Sequence, residues 1–154
     1  MKVNDKLTNS ILKANGSTYL LLIYVSKFHH LLIGKLGRVK FDPGYYIYSG
    51  SAKKSIQKRL LRHLKVQKNK FWHIDYLLSS LPSVKVVNIW VSKEPCECAI
   101  SQEILKSGIA VVIQKGFGSS DCRCPAHLFK IDFSDLESLK QLITKRNFYP
   151  LSEL

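Results

Sequence analysis

The chain is 154 residues long, 45% of them hydrophobic, and its 24 Lys and Arg outnumber 11 Asp and Glu to give a formal net charge of +13. At this length one core buries roughly 68–70% of the unfolded surface, so a single domain over residues 1–154 needs neither a disulfide framework nor a metal to hold it. The longest apolar run, Tyr19 to Val25, falls far short of the ~20 residues of a membrane helix, and Met1-Lys-Val-Asn-Asp5 lacks a signal-peptide core; the expected place is the cytoplasm, with no membrane partner.

Tyr19-Leu-Leu-Leu-Ile-Tyr-Val25 predicts a buried strand. His30 to Gly34 predicts a second, followed by a turn signal at Gly34 to Gly37, and the two are expected to form a hairpin. Val39 to Phe41 leads into the turn Asp42-Pro-Gly44. Tyr45-Tyr-Ile-Tyr48 predicts a third strand, ending where Ser49-Gly-Ser51 is expected to bend the backbone. Ser55 is placed to cap a helix running to about Val66, because Ile56, Leu60, Leu61 and Leu64 recur on one face. A helix over Phe71 to Ser80, a strand over Val84 to Val91 and a helix from Pro95 to about Lys106 follow. Ile109 to Ile113 predicts a short strand, Gly116 to Ser120 a loop and Leu128 to Phe133 a last strand. Ser134-Asp-Leu-Glu137 has the spacing of a capping box for a C-terminal helix. The pattern reads as one α/β domain of the α+β kind.

The charge is divided unevenly. Residues 1–74 hold 15 Lys and Arg against Asp5 and Asp42, while residues 75–154 balance. Between Lys53 and Lys70 there are eight basic residues and no acid. Such density on one helix is costly in self-repulsion unless an anionic partner offsets it, which points to a phosphate backbone. Lys53, Lys54, Lys58 and Arg62 are the expected phosphate contacts.

Four cysteines form two Cys-x-Cys pairs, Cys96/Cys98 and Cys122/Cys124, with His127 shortly after. Small semi-buried side chains without a ligand role are the favoured reading; a structural zinc stays open, since the spacing fits a zinc knuckle only loosely. The segment Asp121 to His127 is left between a phosphate loop, a zinc half-site and a clasp on the sheet.

The predicted hairpin, turn and basic helix bring together Tyr19, Tyr48, Arg59 and His63, the last two one helical turn apart. Phosphodiester hydrolysis needs a water deprotonated, phosphoryl charge neutralised and a leaving group assisted, and these residue types can do so together with a carboxylate-held divalent ion.

Gly16-Ser-Thr-Tyr19, Tyr48-Ser-Gly50, Arg59-Leu-Leu-Arg-His63 and a carboxylate on a later helix follow one another in an order that resembles the GIY-YIG nuclease superfamily. Trp72-His-Ile-Asp-Tyr-Leu77 and Gly116-Phe-Gly-Ser-Ser-Asp-Cys-Arg-Cys124 resemble its small stand-alone Uri-type branch. The resemblance spans about residues 16–130. It implies a small mixed or antiparallel sheet of about three strands flanked by helices, with the strand and helix over 128–146 as additions. It further implies a metal-dependent endonuclease acting on nucleic acid, DNA before RNA, with a place in DNA repair and one Mg²⁺ or Mn²⁺ ion.

Carried over by position, Tyr19 and Tyr48 are the motif tyrosines, one of which activates or positions the attacking water. Gly50 closes the second motif near the nucleic acid. Arg59 holds the scissile phosphate, and His63 is a proton relay or second phosphate contact. The metal-binding carboxylate is expected at Glu97, whose Cys-Glu-Cys-Ala setting resembles the branch's Glu-Cys-Glu-Leu-Ala. Glu103 stays open, because six residues at ~100° each put the two about 120° apart and no single ion takes both. His73 and Asp75 are left between support of the site and capping or packing. The sequence also admits a nucleic-acid-binding module with weak or no catalysis, a zinc-stapled interaction domain, and a homodimer or protein partner.

Overall fold

Eight consecutive residues from Thr18 to Val25 form β1, and all but Tyr24 are buried. Such a run has no polar face because the strand is central and covered on both sides. It pairs antiparallel with β4 (Gly44–Ser51) on one side and β5 (Val84–Ser92) on the other. The computed structural model describes residues 5–65, 67–80 and 82–153. The expected helix end at Val66 and the opening residues Met1 to Asn4 lie outside the described residues.

Around the β4-β1-β5 core the sheet widens to six antiparallel strands in the order β6-β7-β4-β1-β5-β8, with β6 at Ala110–Val112, β7 at Leu128–Ile131 and β8 at Tyr149–Glu153. The sheet is twice as wide as the three strands expected. Among the described residues five α-helices complete the mixed α/β domain: α1 (Asp5–Leu12), α2 (Ile56–Leu64), α3 (His73–Leu78), α4 (Glu97–Lys106) and α5 (Leu136–Lys145). The buried faces of α2 and α3 lie over the sheet face that carries Tyr19, whereas α4 meets the opposite face, where its Ser101 hydrogen-bonds Ser49 of β4. Among the described residues no helix is long and apolar enough to cross a membrane.

Three local expectations are corrected. The first two strands do not form a hairpin: β1 has both edges occupied, so β2 (His29–Ile33) pairs instead with β3 (Gly37–Phe41) in a separate two-stranded sheet. The turn at Gly34 to Gly37 joins β2 to β3, with Gly37 at φ 76°. Ser49-Gly50-Ser51 does not bend but continues β4, with Gly50 opposite Tyr19. A Cβ at Gly50 would collide with the Tyr19 phenol, so this glycine serves close approach and not a turn. The Ser134 to Glu137 capping box does not form either. Asp132 takes the Ser134 amide at 2.9 Å and directs a short 3₁₀ turn before α5.

The start of α2 follows the sequence, whereas α4 begins at Glu97 and not at the expected Pro95, and α3 covers His73–Leu78 within the expected Phe71 to Ser80. Ser55 caps α2 by accepting from the Lys58 amide, and at the other end Lys68 Nζ donates to the carbonyls of Arg62 and His63. Pro95 precedes α4 without entering it, because Cys96 is the N-cap.

Candidate active site and thiol cluster

Antiparallel register decides which side chains meet. Gly50 faces Tyr19 and Tyr48 faces Leu21, so the even positions of β4 share the side of the sheet that Tyr19 occupies. The two phenol rings stand 6.4 Å apart, and His63 from α2 comes within 5.4 Å of Tyr19 and 6.3 Å of Tyr48. Tyr19 Oη and His63 Nε2 are hydrogen-bonded at 2.6 Å. Burial raises both phenols above their usual range, against the opposing charge of Arg59, so they are neutral at physiological pH. Burial, reinforced by the Lys68 charge, holds His63 down to about 3, so it is neutral as well. His63 is only 3% exposed, which corrects its expected role as a phosphate contact: it sits behind the site, bonded to Tyr19.

In front of this buried trio opens a cleft of about 730 Å³. Tyr48, Arg59, Trp72 and Glu97 line it, and Lys53, Lys54 and Lys58 stand exposed at its rim. Arg59 is held from two directions: Nη1 donates to the Ser51 carbonyl at 2.9 Å, and the guanidinium lies 4.1 Å from the centre of the Trp72 ring. Arg62, one turn on, also stacks on Trp72, at 4.3 Å.

Arg62, expected as a phosphate contact, also lines the cleft, but its guanidinium is already paired. Both terminal nitrogens are engaged by the Asp75 carboxylate, at 2.7 and 2.8 Å. Asp75 is fully buried and also accepts from the amides of Phe71 and Trp72. Burial alone would push this carboxyl up, but the guanidinium and the two amides outweigh it and hold the group below its usual range. Asp75 therefore locks α2, α3 and the Trp72 ring together. His73 has a comparable role, since its Nδ1 accepts from the Gly118 amide at 2.9 Å and ties the loop to α3.

Glu97 opens α4 and reaches the cleft from the side opposite Arg59's helix. One of its oxygens lies 2.7 Å from His127 Nδ1. Burial opposes its ionisation, but contacts with His127 and Ser51 and the nearby Arg59 charge lower its pKa, leaving a carboxylate. Glu103 is absent from the cleft lining and pairs with Arg146, at 2.6 and 2.7 Å. Of the two glutamates the sequence left open, Glu97 is the one beside Tyr48 and Arg59.

Behind Glu97 the ligand atoms of Cys98, Cys122, Cys124 and His127 all lie within 4.8 Å of one another, a group able to hold a metal ion. Cys96, expected as part of any such site, is excluded because it caps α4 and only its successor Cys98 turns inward.

Sequence reasoning did not single out Trp72 as an arginine platform, Ser51 as the acceptor for Arg59, or the contact between His127 and Glu97. Trp72 had a usable signal, an aromatic residue shortly after a helix with two arginines three residues apart. The other two depend on register and on the path of a loop, which no spacing reveals.

A six-stranded antiparallel sheet with a basic, aromatic-lined cleft at the end of its central strands defines a mixed α/β domain. The chain belongs to the family described as Domain of unknown function DUF123, whose model matches residues 18–148. Comparison with curated proteins and with solved structures gives no match.

Proposed function

We propose that the protein is a metal-dependent endonuclease of the GIY-YIG type that hydrolyses phosphodiester bonds of nucleic acid, DNA in preference to RNA, in the cytoplasm and in the service of DNA repair. The observation that carries the reading is the convergence of Tyr48, Arg59 and Glu97, distant in sequence, on one cleft rimmed by lysines. A fold that needed these residues only for packing would not leave their polar ends on a shared concave surface.

Arg59 presents a guanidinium already oriented by Trp72 and Ser51, so it can receive the scissile phosphate with little further ordering. Lys53, Lys54 and Lys58 attract the flanking backbone without reading sequence. Phe71 at the cleft mouth is 79% exposed and offers a base a flat apolar surface to stack on. The Tyr48 hydroxyl is the phenol that faces the cleft and orients the attacking water. Tyr19 and His63 support it from behind, and neutral His63 Nε2 can accept a proton from Tyr19 Oη.

The residues present suit a hard divalent cation. Glu97 is an ionised carboxylate on the cleft wall, and Mg²⁺ or Mn²⁺ keeps most of its water shell and so needs few protein ligands. Bound there, the ion would polarise the phosphate and offset developing negative charge.

The test is incubation of purified protein with labelled single-stranded, duplex, flapped and branched DNA and with RNA, with and without Mg²⁺ or Mn²⁺. Cleavage of at least one DNA that requires the metal supports the reading. Salt-sensitive binding with no cleavage of any substrate replaces it with a binding module of the same fold.

A further inference from the structure

The stretch from Ile113 to Asp121 and on to His127 joins β6 to β7 without a helix or strand of its own, although its last residue is buried. Irregular connections of about 12–15 residues are uncommon in compact domains and need something to hold them. A few backbone bonds do part of this: Gly116 N to Pro125 O at 2.7 Å, and His127 N to Phe117 O at 2.8 Å. Three thiols, two of them from this connection and one from α4, gather around the His127 imidazole, and the cleft makes no use of the thiols.

The geometry points to a structural Zn²⁺ site formed by Cys98 Sγ, Cys122 Sγ, Cys124 Sγ and His127 Nε2. A zinc tetrahedron with bonds of ~2.3 Å to sulfur has ligand-to-ligand edges of about 3.8 Å. His127 Nε2 stands 3.8 Å from Cys98 Sγ and 3.5 Å from Cys122 Sγ, and no pair in the group exceeds 4.8 Å.

The imidazole is also oriented as a ligand. Its Nδ1 lies 2.7 Å from a Glu97 oxygen while Nε2 lies toward Cys98 and Cys122, so a proton carried on Nδ1 leaves the Nε2 lone pair for a metal. Three sulfurs and one nitrogen are the donor set of closed structural zinc sites, with no position left for a substrate. On binding, each thiol releases its proton to solvent and the ion joins the first turn of α4 to the loop before β7. Only one Cys-x-Cys pair supplies two ligands, Cys122 and Cys124; of the other pair Cys96 is outside the group and α4 contributes Cys98 alone.

Metal analysis of protein purified under reducing conditions without added metal tests the site. About one zinc per chain is expected, lost in Cys122→Ser and retained in Cys96→Ser. Should Cys122→Ser fail to fold, exchange of Co²⁺ into the wild-type protein decides: the absorption bands of tetrahedral, thiolate-rich cobalt are expected. Substoichiometric zinc, another metal in its place, a cobalt spectrum without these bands, or loss of zinc in Cys96→Ser would each overturn the proposal. Zinc content is read without any nuclease assay, so this result stands apart from the functional reading above.

Discussion

Glu97 and His127 lie 2.7 Å apart, and between them they connect two chemistries: the carboxylate lines the cleft, while the other face of the imidazole looks into the thiol cluster. Replacing His127 by Cys preserves a four-ligand zinc set but removes the partner of Glu97. Zinc content should remain near one per chain, whereas Mn²⁺ affinity in the cleft, read by electron paramagnetic resonance, should fall roughly 10- to 100-fold. Unchanged Mn²⁺ affinity would mean that the two sites are neighbours without coupling.

Arg59→Lys keeps the charge but loses the planar fork that stacks on Trp72 and reaches the Ser51 carbonyl. Cleavage should drop by about 10²–10³ in kcat, as expected when one oriented donor to a developing oxyanion is lost, with the melting temperature little changed. A rate within a factor of about three of wild type would remove Arg59 from phosphate binding.

Lys53, Lys54 and Lys58 are exposed at the cleft rim, so their contribution should appear in salt dependence more than in fold stability. The triple alanine variant should lower the slope of log K against log salt for duplex DNA by up to about 3, close to one per lost phosphate contact. Fluorescence anisotropy across a salt series measures it, and an unchanged slope would place the bound backbone elsewhere.

The sign of the pH effect at His63 follows from its burial. The unfolded chain protonates this imidazole below about 6.5, whereas the folded protein resists protonation until about 3, so stability is full above the first value and lost as pH falls. Between pH 7 and pH 5 the loss should be about 2 kcal/mol, or roughly 4–8 °C in melting temperature for a domain of this size. Lys68, Asp75, Arg59 and Arg62 all act on this group, so the reading is a difference. His63→Gln, which can still accept from Tyr19, should lose most of that pH dependence, and a variant that keeps it would show another group to be responsible.

The sequence made the core strands and the basic helix legible because each has a strong local cause: the unbroken apolar run of β1, and Ser55 followed by apolar residues at helical spacing. It also named Tyr48, Arg59 and Glu97 as candidates, with Glu103 left open, and these three line one cleft. What it could not give depends on the third dimension. Arg62 reads as a free cation until Asp75, thirteen residues later, is found buried against it. His63 reads as exposed beside Arg59 until α2 is rolled onto the sheet. The strand β8 was missed because Pro150 argues against a strand, and an edge position is the place where a sheet tolerates one. Cys98 could be separated from Cys96 only by knowing where α4 begins.

Glu97→Gln offers the most direct measurement, because glutamine keeps the size and shape of the side chain beside His127 while losing the charge that would hold a cation. Wild-type protein should cleave DNA only with Mg²⁺ or Mn²⁺, and the variant should bind the same DNA with similar affinity and leave it intact. Cleavage by the variant at the wild-type rate, or none by either protein on any substrate, would contradict the account.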